Sequence, residues 1–156
     1  MFKFTCQTQI GPLTLAEENG QLTHCCFGTC PKLPQNAEIK ETVLLRKAHR
    51  QLQEYFAGLR RIFDLPLAPE GTTFQLAAWQ ALLTIPYGQT ASYKEMAVKV
   101  GNPKACRAIG MANNKNPISI IIPCHRVIGT GGKLVGYAGG LDIKQKLLAL
   151  EQKHSV

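Results

Sequence analysis

The stretch Ser92-Tyr93-Lys94-Glu95-Met96-Ala97-Val98-Lys99-Val100-Gly101-Asn102-Pro103-Lys104-Ala105-Cys106-Arg107-Ala108-Ile109-Gly110-Met111-Ala112 decides the fold. Ser92, with Glu95 three residues on, is a capping box that opens a helix. Tyr93, Met96, Ala97 and Val98 supply its apolar side chains. Gly101-Asn102 ends it, and Pro103 suits the start of a second helix, which carries Lys104 to Ala112. Helix, short glycine-containing turn, helix is the helix-turn-helix plan, whose second helix meets the DNA groove. Ala105, Ala108, Gly110 and Ala112 are small enough to let that backbone come close to DNA. Arg107, among them, can read a base edge, neutralise a phosphate or insert into the stack. The plain alternative is a solvated helix arginine. Lys104 and Ala105 are further candidates for DNA contact.

Working outward, Thr72 or Thr73 caps a strongly apolar helix of Phe74, Leu76, Trp79, Leu82 and Leu83 that runs to Ile85. Trp79 reads as core. Downstream, Asn113 to Pro117 is a polar loop, and Ile120-Ile121-Ile122 reads as a buried strand that Pro123 ends. Cys124, His125 and Arg126 follow at once. Val127-Ile128 and Leu134-Val135 read as two short strands joined by a glycine turn, a wing beside the helix-turn-helix. The glycines match no phosphate-binding pattern. Gly136 to Gly140 is a loop able to wall a small pocket, and a last helix starts near Asp142, its expected cap, carrying Lys144, Leu147 and Glu151.

Residues 1–70 read as scaffold. Met1 to Cys6, Leu13 to Ala16 and Leu22 to Phe27 are strand candidates, with a turn at Ile10-Gly11-Pro12 and a hairpin at Asn19-Gly20. A helical pattern runs from about Ala37 to Phe56, and Ile62 to Leu67 is a further strand candidate. Pro66, Pro69 and Gly71 mark a boundary, giving domains of 1–70 and 71–156.

The chain has 156 residues, 45% of them hydrophobic, so it can build one ordinary core or two small ones. Its 18 basic and 10 acidic side chains give a net charge of +8. Residues 1–70 contribute only +1 of this and residues 71–156 contribute +7. The C-terminal part therefore favours a polyanion, nucleic acid first. No basic-then-apolar leader and no long apolar run is present, so a cytoplasmic protein with no membrane contact and mostly reduced thiols is expected. His24, Cys25, Cys26 and Cys30 are poorly spaced for a metal, since Cys25 and Cys26 point to opposite faces of a strand. No cofactor and no structural zinc are expected.

Cys124 is the one residue with a strong case as nucleophile, because thiolate is reactive and a buried run fixes its position. His125 can take the thiol proton, although neighbours on an extended chain diverge, so contact needs a turn or a bridging water. Glu151 is the carboxylate left to orient it once Asp142 is used as a cap. A single soft nucleophile suits attack on an alkyl carbon. There is no acid pair for phosphodiester hydrolysis and no zinc signature for deamination.

From Asn116-Pro117 through Pro123-Cys124-His125-Arg126-Val127, the sequence resembles the active-site signature of the O(6)-alkylguanine-DNA alkyltransferases, the methylated-DNA–protein-cysteine methyltransferases. The likeness extends through Pro86-Tyr87-Gly88, Ser92-Tyr93, Gly101-Asn102-Pro103, Ala108-Ile109-Gly110, Gly136-Tyr137, Gly139-Gly140-Leu141, Lys144, Leu147-Leu148 and Glu151, most of residues 73–151. It implies an α+β chain, a small ribonuclease-H-like α/β domain followed by a winged helix-turn-helix-like alkyltransferase domain. It implies a monomer that flips an alkylated guanine out of double-stranded DNA and transfers the alkyl group once, irreversibly, to Cys124; alkylated thymine is a possible second substrate. On this resemblance His125 activates Cys124 through a water, Glu151 orients His125, Tyr93 donates towards guanine N3, Arg107 fills the vacated stack and Asn116 holds the turn. The carbonyls of Val127 and Cys124 accept from the guanine amino group, and the Ala138 N–H faces O6. Position 138 is alanine where some relatives carry serine, which predicts altered pocket preference. The competing expectation is a non-catalytic DNA-binding protein that only senses alkyl lesions.

Overall fold

The structure, a computed structural model, describes residues 1–155. It divides into two compact units, residues 1–70 with 117–121, and residues 71–116 with 122–155. The sequence boundary near residue 70 left 117–121 with the C-terminal domain; the fold groups this segment with the first unit.

In the first unit, β1 (Phe2–Thr8), β2 (Gly11–Glu18) and β3 (Gln21–Phe27) form an antiparallel meander, with Asn19 and Gly20 at positive φ in the second turn. The first reversal lies at Gln9-Ile10, so Gly11 and Pro12 already belong to β2. β4 (Glu38–Ile39) lies parallel to β1 and completes the order β3-β2-β1-β4. Helix α1 (Val43–Phe56) therefore starts later than its apolar periodicity predicts. The preceding residues pair with β1, and Thr42 caps the helix by accepting from the Leu45 N–H. Leu45, Ala48, Leu52, Tyr55 and Phe56, at helical spacing, pack against the sheet residues Leu13, Leu15 and Leu22. Each such large side chain contributes about 1.5–3 kcal/mol when removed from water. Residues 62–67 form no strand; Leu67 makes a single bridge to Leu22, whose N–H donates to the Pro66 carbonyl.

Pro117 to Ile121 lies along β3. The Cys25 N–H donates to the Pro117 carbonyl and the Ser119 N–H to the Cys25 carbonyl. The isoleucine run is buried, as its composition predicts, but it is a turn rather than a strand. The Ile121 N–H reaches back to the Ser119 carbonyl at 2.8 Å across Ile120, whose φ is 73°. That is a γ-turn of the rare left-handed form, in a β-branched residue.

Cys26 and Cys30 are joined by a disulfide, against the expectation of free thiols there. Gly28, at φ 69°, turns the chain at the end of β3 and brings the two Cα atoms to 5.6 Å. Cys6, Cys25, Cys106 and Cys124 are free.

In the second unit, α2 (Thr73–Leu82) is opened by a Thr72–Gln75 capping box. β5 (Ala91–Ser92) leads into α3 (Tyr93–Lys99), opened by the expected Ser92–Glu95 box. Gly101, at φ 85°, makes the turn to α4 (Cys106–Asn114). Pro103 and Lys104 lie in this turn and Ala105 caps α4, so the second helix begins later than predicted. Trp79 is buried and its indole N–H donates to the Ala112 carbonyl at 2.9 Å, tying α2 to α4. The predicted wing does not form. β6 (Val127–Ile128) pairs in parallel with β5, Leu134-Val135 is irregular, and Thr130–Gly132 is a 3-10 turn. In α5 (Leu141–His154), Gly140 rather than Asp142 holds the cap position, and Asp142 sits in the first turn.

Candidate active site

The cysteine is positioned by two short devices. Pro123, at φ −83° and ψ 63°, makes a second γ-turn, in which the Cys124 N–H donates to the Ile122 carbonyl at 2.8 Å. Cys124–Arg126 then winds as one turn of 3-10 helix. The segment is therefore a turn and not the extended strand on which neighbouring side chains diverge. Asn116, just beyond α4, has its amide nitrogen 2.8 Å from the Ile122 carbonyl and 3.2 Å from the Cys124 sulfur.

Cys124 is only 4% exposed. Burial pushes its thiol up to about 11, against the Asn116 hydrogen bond and the nearby Lys144 charge. At neutral pH it is therefore a thiol, and a base is needed to make the nucleophile.

A candidate base lies next in the chain. His125 is fully buried, and its Nε2 lies 2.6 Å from Glu151 Oε2 on α5. An ionised carboxylate only accepts, so Nε2 carries the proton and Nδ1 of the neutral ring is the acceptor. Nδ1 is buried, and among the described residues it has no hydrogen-bond partner. Burial holds the imidazole below its usual range, against the pull of Glu151. Burial alone would raise the Glu151 carboxyl, but hydrogen bonds from His125 and Arg126 outweigh it and hold it at about 2.

Two buried cations that were not among the expected site residues, Arg126 and Lys144, also meet this site. Arg126 is buried, not facing solvent: Nε donates to Glu151 Oε1 at 2.8 Å, Nη2 to Oε2 at 3.1 Å and Nη1 to the Ile85 carbonyl at 2.7 Å. Lys144 donates to the carbonyls of Val127 at 2.6 Å and Val135 at 3.1 Å. A signal existed for it: Lys144, Leu147 and Glu151 share one face of α5 at three- and four-residue steps, and all three are buried. The Val127 carbonyl, expected to meet the guanine, thus already has one donor and keeps one lone pair.

A cavity of about 540 Å3 is lined by Tyr93, Cys106, Arg107, Gly110, Met111, Asn114, Val135 and Gly136. Tyr93 donates from its hydroxyl to the Val135 carbonyl at 3.1 Å, and burial raises the phenol. Gly110 faces the Tyr93 ring, and an added Cβ there would meet it at 3.7 Å, in ordinary van der Waals contact. Arg107 is exposed on this face. Lys104 and Ala138 are exposed but do not line the cavity, and the Ala105 side chain is turned into the core. The structure thus pairs Asn116 with Cys124 and Glu151 with His125, the next residue of the same turn, and places Tyr93 and Arg107 on the cavity wall. Among the described residues no group of three or more His, Cys, Asp or Glu side chains is placed to hold a metal ion.

A helix-turn-helix unit with a buried thiol beside a histidine–carboxylate pair defines a class, a cysteine-dependent protein on a DNA-binding scaffold. Residues 73–153 match the family model described as 6-O-methylguanine DNA methyltransferase, DNA binding domain, and residues 1–69 match the ribonuclease-like domain of the same family. The chain is 52% identical to the methylated-DNA–protein-cysteine methyltransferase of Methanosarcina barkeri, over 99% of both chains. It is 47% identical to the constitutive methyltransferase of that name from Bacillus subtilis, over 95% of this chain and 93% of the relative. Its fold superposes on the crystal structure of Mycobacterium tuberculosis OGT in complex with DNA with a TM-score of 0.93 and 45% identity, covering 99% of this chain and 94% of that one. The chain belongs to the 6-O-methylguanine DNA methyltransferase family.

Proposed function

We propose that this chain repairs alkylated DNA by direct reversal, moving the alkyl group from O6 of guanine to its own Cys124. The observation that carries this reading is the buried Cys124 thiol, held by Asn116 and followed by the His125–Glu151 pair. The target base has to leave the stack before its O6 substituent can meet the sulfur. The thiol proton passes to Nδ1 of His125 through a water, and Glu151 stabilises the imidazolium that forms. The sulfur–carbon bond forms as the carbon–O6 bond breaks in line. The released electron pair spreads into the purine ring, which Tyr93 meets with its hydroxyl at N3. Tyr93 must exchange its present acceptor, the Val135 carbonyl, to do so. The guanine anion takes a proton on N1 from solvent and ends neutral, and the imidazolium returns the thiol's proton to the bridging water, leaving His125 neutral. The product is a thioether with no acidic proton, so each molecule acts once.

Arg107 occupies the place the base leaves. The charge excess of residues 71–156 supports double-stranded DNA as partner. The reading includes a monomer acting in the cytoplasm; among the described residues no helix is long and apolar enough to cross a membrane.

The test is incubation with duplex DNA carrying methyl-labelled O(6)-methylguanine, followed by peptide mass analysis. One label per molecule, on Cys124, is the expected result. Absence of label on Cys124, or repair that persists in Cys124→Ala, would reject the reading, and the latter outcome would favour a lesion-sensing protein.

A further inference from the structure

We infer that Arg126 is a positioning residue for alkyl transfer: by saturating the Glu151 carboxylate, it leaves His125 neutral, with its proton on Nε2 and its Nδ1 lone pair available to the Cys124 thiol. This rests on the function proposed above.

The geometry is that of a clamp. Glu151 Oε1 accepts from Arg126 Nε at 2.8 Å and from the Gly88 N–H at 3.1 Å. Oε2 accepts from Arg126 Nη2 at 3.1 Å and from His125 Nε2 at 2.6 Å. The carboxylate has a full set of donors without asking His125 for a positive charge. The guanidinium is itself fixed, by the Ile85 carbonyl at 2.7 Å and the Tyr87 ring at 5.7 Å. A planar fork is needed to bridge both oxygens in this way, which a lysine ammonium cannot do.

The consequence concerns where the proton resides before reaction. A buried carboxylate must have a counter-charge. With Arg126 present that charge is supplied, and His125 stays a base. Without it, Glu151 would draw a proton onto His125, the titratable group bonded to its Oε2, and the imidazolium could no longer take the thiol proton. The charged groups facing His125 are Glu151 and Lys144 from α5 and Arg126 from its own turn, with the Cys124 thiol beside it. Helix α2, which also packs on this turn, carries no titratable side chain. Of these groups, Glu151 raises the imidazole, and Arg126 and Lys144 lower it. Removing Arg126 therefore shifts the balance towards the charged ring, against burial and Lys144.

The test is the pH profile of single-turnover transfer from O(6)-methylguanine duplex, for the wild type, Arg126→Lys and Arg126→Met. Alongside it, the ring-nitrogen shifts of 15N-labelled His125 are followed in the DNA-free protein. The wild type should show a neutral ring at pH 7, protonated on Nε2. Arg126→Met should move the acid limb of the rate up by about one pH unit or more, with rate recovered at alkaline pH. Arg126→Lys, which keeps the charge but not the fork, should transfer about tenfold more slowly with its acid limb near that of the wild type. A uniform loss of rate with an unmoved limb in Arg126→Met, or a charged His125 ring in the wild type at pH 7, would overturn the inference. If Arg126→Met does not fold, the wild-type ring nitrogens and the Arg126→Lys limb still decide it. A wild type that transfers nothing to Cys124 would instead defeat the proposed function, and the ring-nitrogen result would then speak to the Arg126 clamp alone.

Discussion

A single amide nitrogen on Asn116 serves both the Ile122 carbonyl and the Cys124 sulfur, and a single carboxylate on Glu151 serves Gly88, His125 and Arg126. Such economy makes individual residues costly to change. Glu151 is the clearest case. Its folded value of about 2 lies below the ordinary 4.5, so the folded state binds the proton less readily than the unfolded one. The resulting stability is present above pH 4.5 and is lost as pH falls through the folded value near 2. It amounts to a contribution on the order of 3 kcal/mol. Glu151→Gln should therefore be less stable than wild type at pH 7, and the gap should close between pH 4.5 and 2 in urea unfolding followed across pH. A gap independent of pH would contradict the ionised carboxylate. At this scale the sequence was informative where a motif named the residues: Asn116 lies against Cys124, and Glu151 against His125. It was uninformative about Arg126, because the carboxylate it bridges lies 25 positions away and no local pattern points to it.

Among the elements, those with chemical start signals were legible. The Ser92–Glu95 box opens α3 where expected, and the glycine turn before α4 is present. Pairing partners were not legible. Glu38-Ile39 extends the helical periodicity of α1 on paper, yet β1 captures it. Val127-Ile128 pairs with β5 instead of its neighbour in sequence. The isoleucine run is the sharpest miss, since an apolar β-branched run reads as a strand while Ile120 takes a left-handed γ-turn. A non-glycine residue held there costs on the order of 1–3 kcal/mol. Ile120 and Ile121 are 1% and 5% exposed, so their side-chain losses on substitution are comparable. Ile120→Gly should then be less destabilising than Ile121→Gly by about 1–2 kcal/mol, because only the first relieves strain. Equal midpoints in thermal or denaturant unfolding would show that the turn is unstrained.

For the whole molecule, the placement of the sulfur atoms matters as much as that of the charges. Cys6 and Cys25 are buried and their thiols are raised by that burial, while Cys26 and Cys30 are bonded to each other. Cys106 is half-buried, on the wall of the cavity with Arg107. Cys124, the acceptor, is 4% exposed and protonated at neutral pH. A protein consumed by its own reaction has a shelf life, set by whatever else can reach the sulfur. Here a freely diffusing electrophile meets a shielded, uncharged thiol, whereas a lesion delivered on DNA arrives with the base already at the pocket. A brief pulse of iodoacetamide on DNA-free protein, read by peptide mass, should accordingly mark Cys106 ahead of Cys124, and the reverse order would show the acceptor unprotected. The same burial that makes Cys124 slow to ionise thus keeps it unspent in a cell exposed to the agents that create its substrate.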